Sequence, residues 1–117
     1  MHELSICNSL VSQVTKVAQS HHASAVTHIY LNVGLLSGVE PQLLQQAFPF
    51  ASAETLADNA ELHISMEPLE VRCLECFQTS KVTMQNLSCS HCQSWKTQLL
   101  SGDELTLARV ELKIDED

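Results

Sequence analysis

Four cysteines set the chemistry of this chain: Cys73 and Cys76, then Cys89 and Cys92, in the pattern C-x2-C-x12-C-x2-C. Two sulfurs of one CxxC turn converge on an ion, and two such turns close a tetrahedron around Zn(II). A segment this short buries too little apolar area to fold unaided, so bound metal would supply much of its folding free energy. A redox dithiol needs CxxC at a helix start after a strand and commonly uses a single pair; here both pairs sit in polar, hairpin-like sequence. An iron–sulfur role is the other thiolate reading. His91, inside the second pair, reads as a solvent-facing spacer or as a substitute ligand when a thiolate is lost. Cys7, the fifth cysteine, reads as a small core residue.

A second set of donors stands at Met1-His2-Glu3. His2 is large, so Met1 is expected to be retained. The Met1 amine, the His2 and Glu3 backbone nitrogens and the His2 imidazole then lie close together. Nickel(II) in nitrogen sites favours planar geometry, and such a chelate suits it. A carboxylate from Glu3 or Glu40 would help neutralise the ion. Taken singly, these residues also have plain readings: a disordered terminal histidine for His2, a helix-start acid for Glu40. His21, His22, His28 and His63 are scattered and read as helix-end or strand-face residues.

Composition narrows the classes. The chain has 117 residues, enough for one domain or one domain with a small insert, and 44% hydrophobic content is ordinary for a globular protein. Net charge is -8 with only 6 Lys and Arg, so no basic stripe exists for nucleic acid. No apolar run approaches the roughly 18 residues of a membrane span, and the first residues do not read as a signal peptide. Paired cysteines fit a metal site in a reducing cytoplasm better than a disulfide scaffold. A hydrolytic zinc needs an open coordination position, which four thiolates deny. No Ser-His-Asp arrangement, phosphate loop or paired-carboxylate motif is visible, so the chain does not read as an enzyme.

These donors must be positioned by a few elements. Residues 4–18 form an amphipathic helix with Cys7, Leu10, Val11, Val14, Val17 and Ala18 on its apolar face. Residues 26–33 alternate as a strand with Thr27, Ile29, Leu31 and Val33 on one side. A second helix starts at Pro41, with Leu43, Leu44, Ala47 and Phe48 apolar; Pro49 removes a backbone donor and is expected to kink, shift or break it. Leu62, Ile64 and Met66 mark another strand. Residues 104–114 form the last one, where a phase change near Ala108 predicts a bulge or burial on both faces. The order predicts an α+β protein: a small helix-covered sheet, residues 1–69 plus 98–117, interrupted by an inserted zinc-ribbon or knuckle module, residues 70–97.

Met1-His2-Glu3-Leu4-Ser5, Gly34-Leu35-Leu36-Ser37-Gly38-Val39-Glu40-Pro41, Thr55-Leu56-Ala57, the CxxC pairs and Gly102-Asp103-Glu104-Leu105 together resemble the HypA/HybF family over essentially the full length. The family comprises nickel metallochaperones of [NiFe]-hydrogenase maturation. The resemblance implies Ni(II) as cargo, bound by His2 through side chain and backbone with the Glu3 region and an acid at the Glu40 position. It implies a structural Zn(II) on Cys73, Cys76, Cys89 and Cys92. Implied partners are a HypB-type maturation GTPase, the hydrogenase large-subunit precursor and, in some organisms, urease maturation proteins; a homodimer is a further expectation. Some members carry a histidine directly after a CxxC pair, where this chain has Phe77 and Gln93, so no histidine is expected on the zinc. The competing reading is a zinc-ribbon interaction module without nickel function, in which His2 would be dispensable.

Overall fold

The structure, a computed structural model, describes residues 2–115, with the backbone alone at His2. Among these residues the order is α1 (His2–Ser20), β1 (Ala25–Gly34), α2 (Pro41–Ser52), β2 (Glu61–Glu67), β3 (Leu69–Cys73), β4 (Thr79–Val82), β5 (Thr97–Ser101) and β6 (Leu105–Lys113). Three strands form a sheet in the order β2-β1-β6, and three form a second sheet in the order β4-β3-β5. The chain divides into two compact units: Met1–Leu31 with Val39–Ile64 and Leu107–Asp117, and Asn32–Gly38 with Ser65–Thr106. The expected α+β class holds.

In the first unit, Cys7, Leu10, Val11, Val14 and Ala18 of α1 are buried, one per turn or nearly so, as the 3.6-residue period requires. Val17, placed by periodicity on this face, is instead 37% exposed; it lies at the stripe's edge. Helix α2 packs against α1 and buries Leu44, Ala47 and Phe48. Cys7 is fully buried, donates its S–H to the Leu44 carbonyl at 3.5 Å and has its thiol pKa pushed up by burial, then by Glu3. It is the core residue its position implied. Glu40 caps α2, its carboxylate accepting from the Gln42 N–H at 3.4 Å, and Pro41 takes the first turn, where its missing donor costs nothing. The helix runs unbroken through Pro49 to Ser52. Proline there forfeits one N–H to the carbonyl four residues back, and the buried neighbours Ala47 and Phe48 outweigh that loss.

Ile29 and Leu31 of β1 are fully buried, and the Gln45 amide donates to the Leu62 carbonyl at 2.7 Å, tying α2 to β2. The Ser24 N–H donates to Lys113 O and Thr27 Oγ1 to Glu111 O, so β6 runs antiparallel beside β1. β6 is not buried on both faces: Val110 and Leu112 are half-buried while Leu105 is exposed. The Thr55-Leu56-Ala57 phrase is a turn. Thr55 Oγ1 accepts from the Ala57 N–H at 3.1 Å, and the Leu56 carbonyl accepts from the Val26 N–H at 2.8 Å.

In the second unit, β3 is central. It pairs antiparallel with β4 (Arg72 opposite Thr79) and with β5 (Cys73 opposite Thr97). Leu69, Val71, Cys73 and Ser80 are buried. This sheet begins at Leu69 and ends at Ser101, slightly wider than 70–97. The Gly34–Gly38 loop lies against Gly102: Gly34 N–H bonds Glu104 O at 2.8 Å and Leu36 N–H bonds Gly102 O at 2.7 Å. A Cβ on Gly34 would stand 2.2 Å from the Gly102 oxygen, so the approach requires glycine.

Candidate metal centre

The two CxxC turns are built alike. In the first, the Phe77 N–H bonds Cys73 O at 3.1 Å and the Cys73 N–H bonds Gln78 O at 2.9 Å. In the second, the Gln93 N–H bonds Cys89 O at 3.0 Å and the Cys89 N–H bonds Ser94 O at 2.9 Å. The residue after each pair turns into the left-handed region, Phe77 at φ 63° and Gln93 at φ 68°. Left-handed backbone costs a side-chain-bearing residue about 1 kcal/mol, and here it reverses the chain so that both sulfurs face inward. His91 is an exposed residue whose ring Nε2 meets the Thr79 carbonyl at 3.1 Å; it is no fifth donor to the quartet.

All four Sγ atoms lie within 4.8 Å of one another. Cys73–Cys92 and Cys76–Cys89 are each separated by 3.6 Å, and all the cysteines are free. Zinc–sulfur bonds of roughly 2.3 Å in a tetrahedron place sulfurs about 3.8 Å apart, so the quartet fits Zn(II) closely. The leading sulfur of each pair also accepts backbone N–H groups. Cys73 Sγ takes those of Glu75 and Cys76, both at 3.4 Å; Cys89 Sγ takes those of His91 at 3.3 Å and Cys92 at 3.5 Å.

These amides favour thiolate. The Cys92 N–H, followed by that of His91, lowers the Cys89 thiol to about 6, and the Cys76 N–H lowers Cys73. Cys92 moves the other way. The Ser94 amide pulls it down, but the Cys73 sulfur and burial prevail and push it up to about 12. The leading sulfur of each turn is thus shifted toward thiolate and Cys92 away from it. A bound cation stabilises all four thiolates together. Cys73 and Cys89 are buried, Cys76 is partly covered and Cys92 is exposed, so the closed ligand set has one edge at the surface.

The amino-terminal donors are placed differently. α1 begins at His2, so the His2 and Glu3 amides belong to a first turn that offers them no intrahelical acceptor. Glu3 lines a surface hollow with Leu4, Leu43, Gln46, Ala47 and Phe50, which runs along α2 to its last turn. Glu40 stands at the start of α2 as its cap. The Met1 amine and the His2 imidazole lie outside the described residues. Among those described, two groups of His, Cys, Asp and Glu converge tightly enough to share an ion: the cysteine quartet, and His28 with Glu61 and His63. Glu3 and Glu40 are in neither.

Sequence reasoning reads His28 and His63 as strand-face residues and passes over Glu61. Alternation puts Glu61 and His63 on one face of β2, and His28 and Tyr30 on one face of β1, but does not say which strands pair.

A mixed α+β fold carrying a closed four-cysteine zinc site, with further imidazole and carboxylate donors elsewhere, defines a metal-binding protein with a structural zinc ribbon. Its relatives specify it further. Residues 1–112 match the family model described as "Hydrogenase/urease nickel incorporation, metallochaperone, hypA". The hydrogenase maturation factor HypA of Nitrosospira multiformis is 47% identical over 96% of this chain and 97% of its own length. That of Aquifex aeolicus is 38% identical over 98% of this chain and 100% of its own. Two solution structures share the fold. One of a HypA protein has a TM-score of 0.75 at 26% identity, covering 98% of each chain. One of the nickel metallochaperone HypA from Helicobacter pylori has a TM-score of 0.70 at 24% identity, covering 97% of this chain and 98% of that one. The chain belongs to the HypA family of nickel metallochaperones for hydrogenase maturation.

Proposed function

We propose that this chain takes up Ni(II) at its amino-terminal turn and releases it to a client, while zinc stays on Cys73, Cys76, Cys89 and Cys92. In this reading residues 1–69 with 98–117 serve nickel and residues 70–97 serve zinc. His2 supplies the imidazole and, with Glu3, backbone nitrogen; Glu3 and Glu40 supply negative charge.

The observation that carries it is the helix start at His2. Amides there have no intrahelical bonds to lose when a metal displaces their protons. The same location sets a cost, because a cation at a helix start meets the positive end of the macrodipole. Deprotonated amides and carboxylate charge would offset that cost, and this is the role proposed for Glu3 and Glu40. Glu40 already serves as a cap, so its contribution to nickel is the smaller.

The chain works by ligand exchange, with no catalytic step, and in the cytoplasm. No described helix is long and apolar enough to cross a membrane. The recipients fitting a hydrogenase-maturation role are the hydrogenase large-subunit precursor, served together with a HypB-type GTPase, and in some settings urease maturation proteins. A homodimer is compatible with this chelate but not required by it, since every proposed ligand comes from one copy. Isothermal titration with nickel tests the site. His2→Ala is expected to abolish stoichiometric nickel binding with zinc content unchanged, and Glu40→Ala to weaken it less. Wild-type nickel binding by His2→Ala would favour the zinc-ribbon interaction module without nickel function.

A further inference from the structure

His28 of β1 and Glu61 and His63 of β2 bring two imidazoles and a carboxylate to one point on the first unit. His28 Nδ1 lies 3.0 Å from His63 Nε2 and 3.4 Å from Glu61 Oε2, and His63 Nε2 lies 3.6 Å from the same oxygen. The circle through these three atoms has a radius of about 1.9 Å, so an ion at the roughly 2.0–2.1 Å of metal–imidazole and metal–carboxylate bonds sits just off their plane. Three ligands then occupy one face of the ion and leave the opposite face to water.

The surroundings hold this arrangement. The Tyr30 ring stacks on His63 at 4.6 Å and 11°, and the Arg109 guanidinium covers Tyr30 at 4.3 Å. Arg109 is in turn paired with Glu111, so its charge is balanced. His28 and Glu61 also border a surface hollow of about 390 Å³ that Asp58 and Asn59 line. Side-chain exposures of 34% at His28, 42% at His63 and 69% at Glu61 leave the site open to exchange.

We propose that His28, Glu61 and His63 form a second, solvent-open site for a first-row divalent transition-metal ion, bound through two imidazole nitrogens and one carboxylate oxygen. Imidazole donors favour nickel, copper and zinc over magnesium or calcium. With three protein ligands against the quartet's four, the site binds reversibly and more weakly than the zinc ribbon. It shares no residue with the proposed nickel site at His2, Glu3 and Glu40, so each can fail without the other.

The test uses the full-length, zinc-loaded protein titrated with nickel chloride, followed by imidazole nitrogen–proton NMR and by calorimetry. In wild type and in His2→Ala alike, the His28 and His63 ring signals are expected to shift or broaden as a weak site that fills only with excess nickel, apart from the tight stoichiometric binding that His2→Ala removes. His63→Gln should weaken that binding at least tenfold while the backbone amide spectrum stays folded. Ring signals in wild type that ignore added nickel would overturn the proposal and leave an ordinary histidine–histidine hydrogen bond. So would His63→Gln binding nickel at this site like wild type. Should His63→Gln disturb the fold, the wild-type ring signals alone decide.

Discussion

The cysteine quartet and the His28–Glu61–His63 cluster both gather metal donors, yet they are built on opposite plans. The quartet comes from two tight turns whose own amides bond the leading sulfurs, with Cys73 and Cys89 buried. The histidine cluster comes from side chains on two strands, carries no such amide support, and lies open to solvent. The nickel site proposed at the amino-terminal turn would follow the second plan, with donors at a helix start rather than inside a closed cage. Four ligands held by backbone geometry retain a metal, whereas a few ligands facing water let it exchange. A carrier needs both, one to hold its shape and one to let go of its cargo.

The largest expected effect comes from opening the closed plan. Cys73→Ser removes a ligand and the acceptor of two amides. Zinc-knuckle binding supplies roughly 10–16 kcal/mol of apparent folding free energy, so the variant should lose most of its zinc and the β3, β4 and β5 amide signals should collapse. The first unit's signals should persist. Elemental analysis with amide NMR reads both, and zinc retained near one per chain would show that the quartet holds its metal no more closely than an open site.

Leu44→Ala tests the other unit. Leu44 is fully buried, and truncating such a side chain costs about 2–5 kcal/mol. The thermal unfolding midpoint should drop sharply while zinc content holds at one per chain. A loss of zinc in step with the loss of stability would show that the quartet depends on this core.

The smallest effect concerns the likeness of the two turns. Gln93→Gly relieves left-handed strain of about 1 kcal/mol, partly offset by glycine's extra freedom in the unfolded chain. The module should resist denaturant slightly better. The gain should be less at Phe77, because Phe77→Gly also forfeits the Arg72 guanidinium over its ring at 5.9 Å. A loss of stability in Gln93→Gly would mean that the side chain matters more than the backbone there.

The quartet was legible in sequence because its geometry is local: each pair closes within one turn, and the spacing carries that information. The helix faces were legible for the same reason, since Cys7, Leu10, Val11, Val14 and Ala18 recur at helical steps. Pro49 does not break α2, which continues past it to Ser52, because packing outweighs the one lost backbone bond. The histidine cluster could not be read off, as His28 and His63 stand 35 residues apart and only strand pairing brings them together. The phase change in β6 did not mean two-sided burial, because the strand lies at the edge of its sheet and is half-exposed along much of its length.

In the proposed function, retention and release of metal are assigned to different parts of the molecule, and a chelator competition puts that division to the proof. Protein loaded with one zinc and one nickel is mixed with excess EDTA, and both metals remaining on the protein are measured over time by mass spectrometry. Nickel is expected to leave first, with zinc staying until long after nickel is gone. Zinc departing as fast as nickel, or ahead of it, would contradict the division.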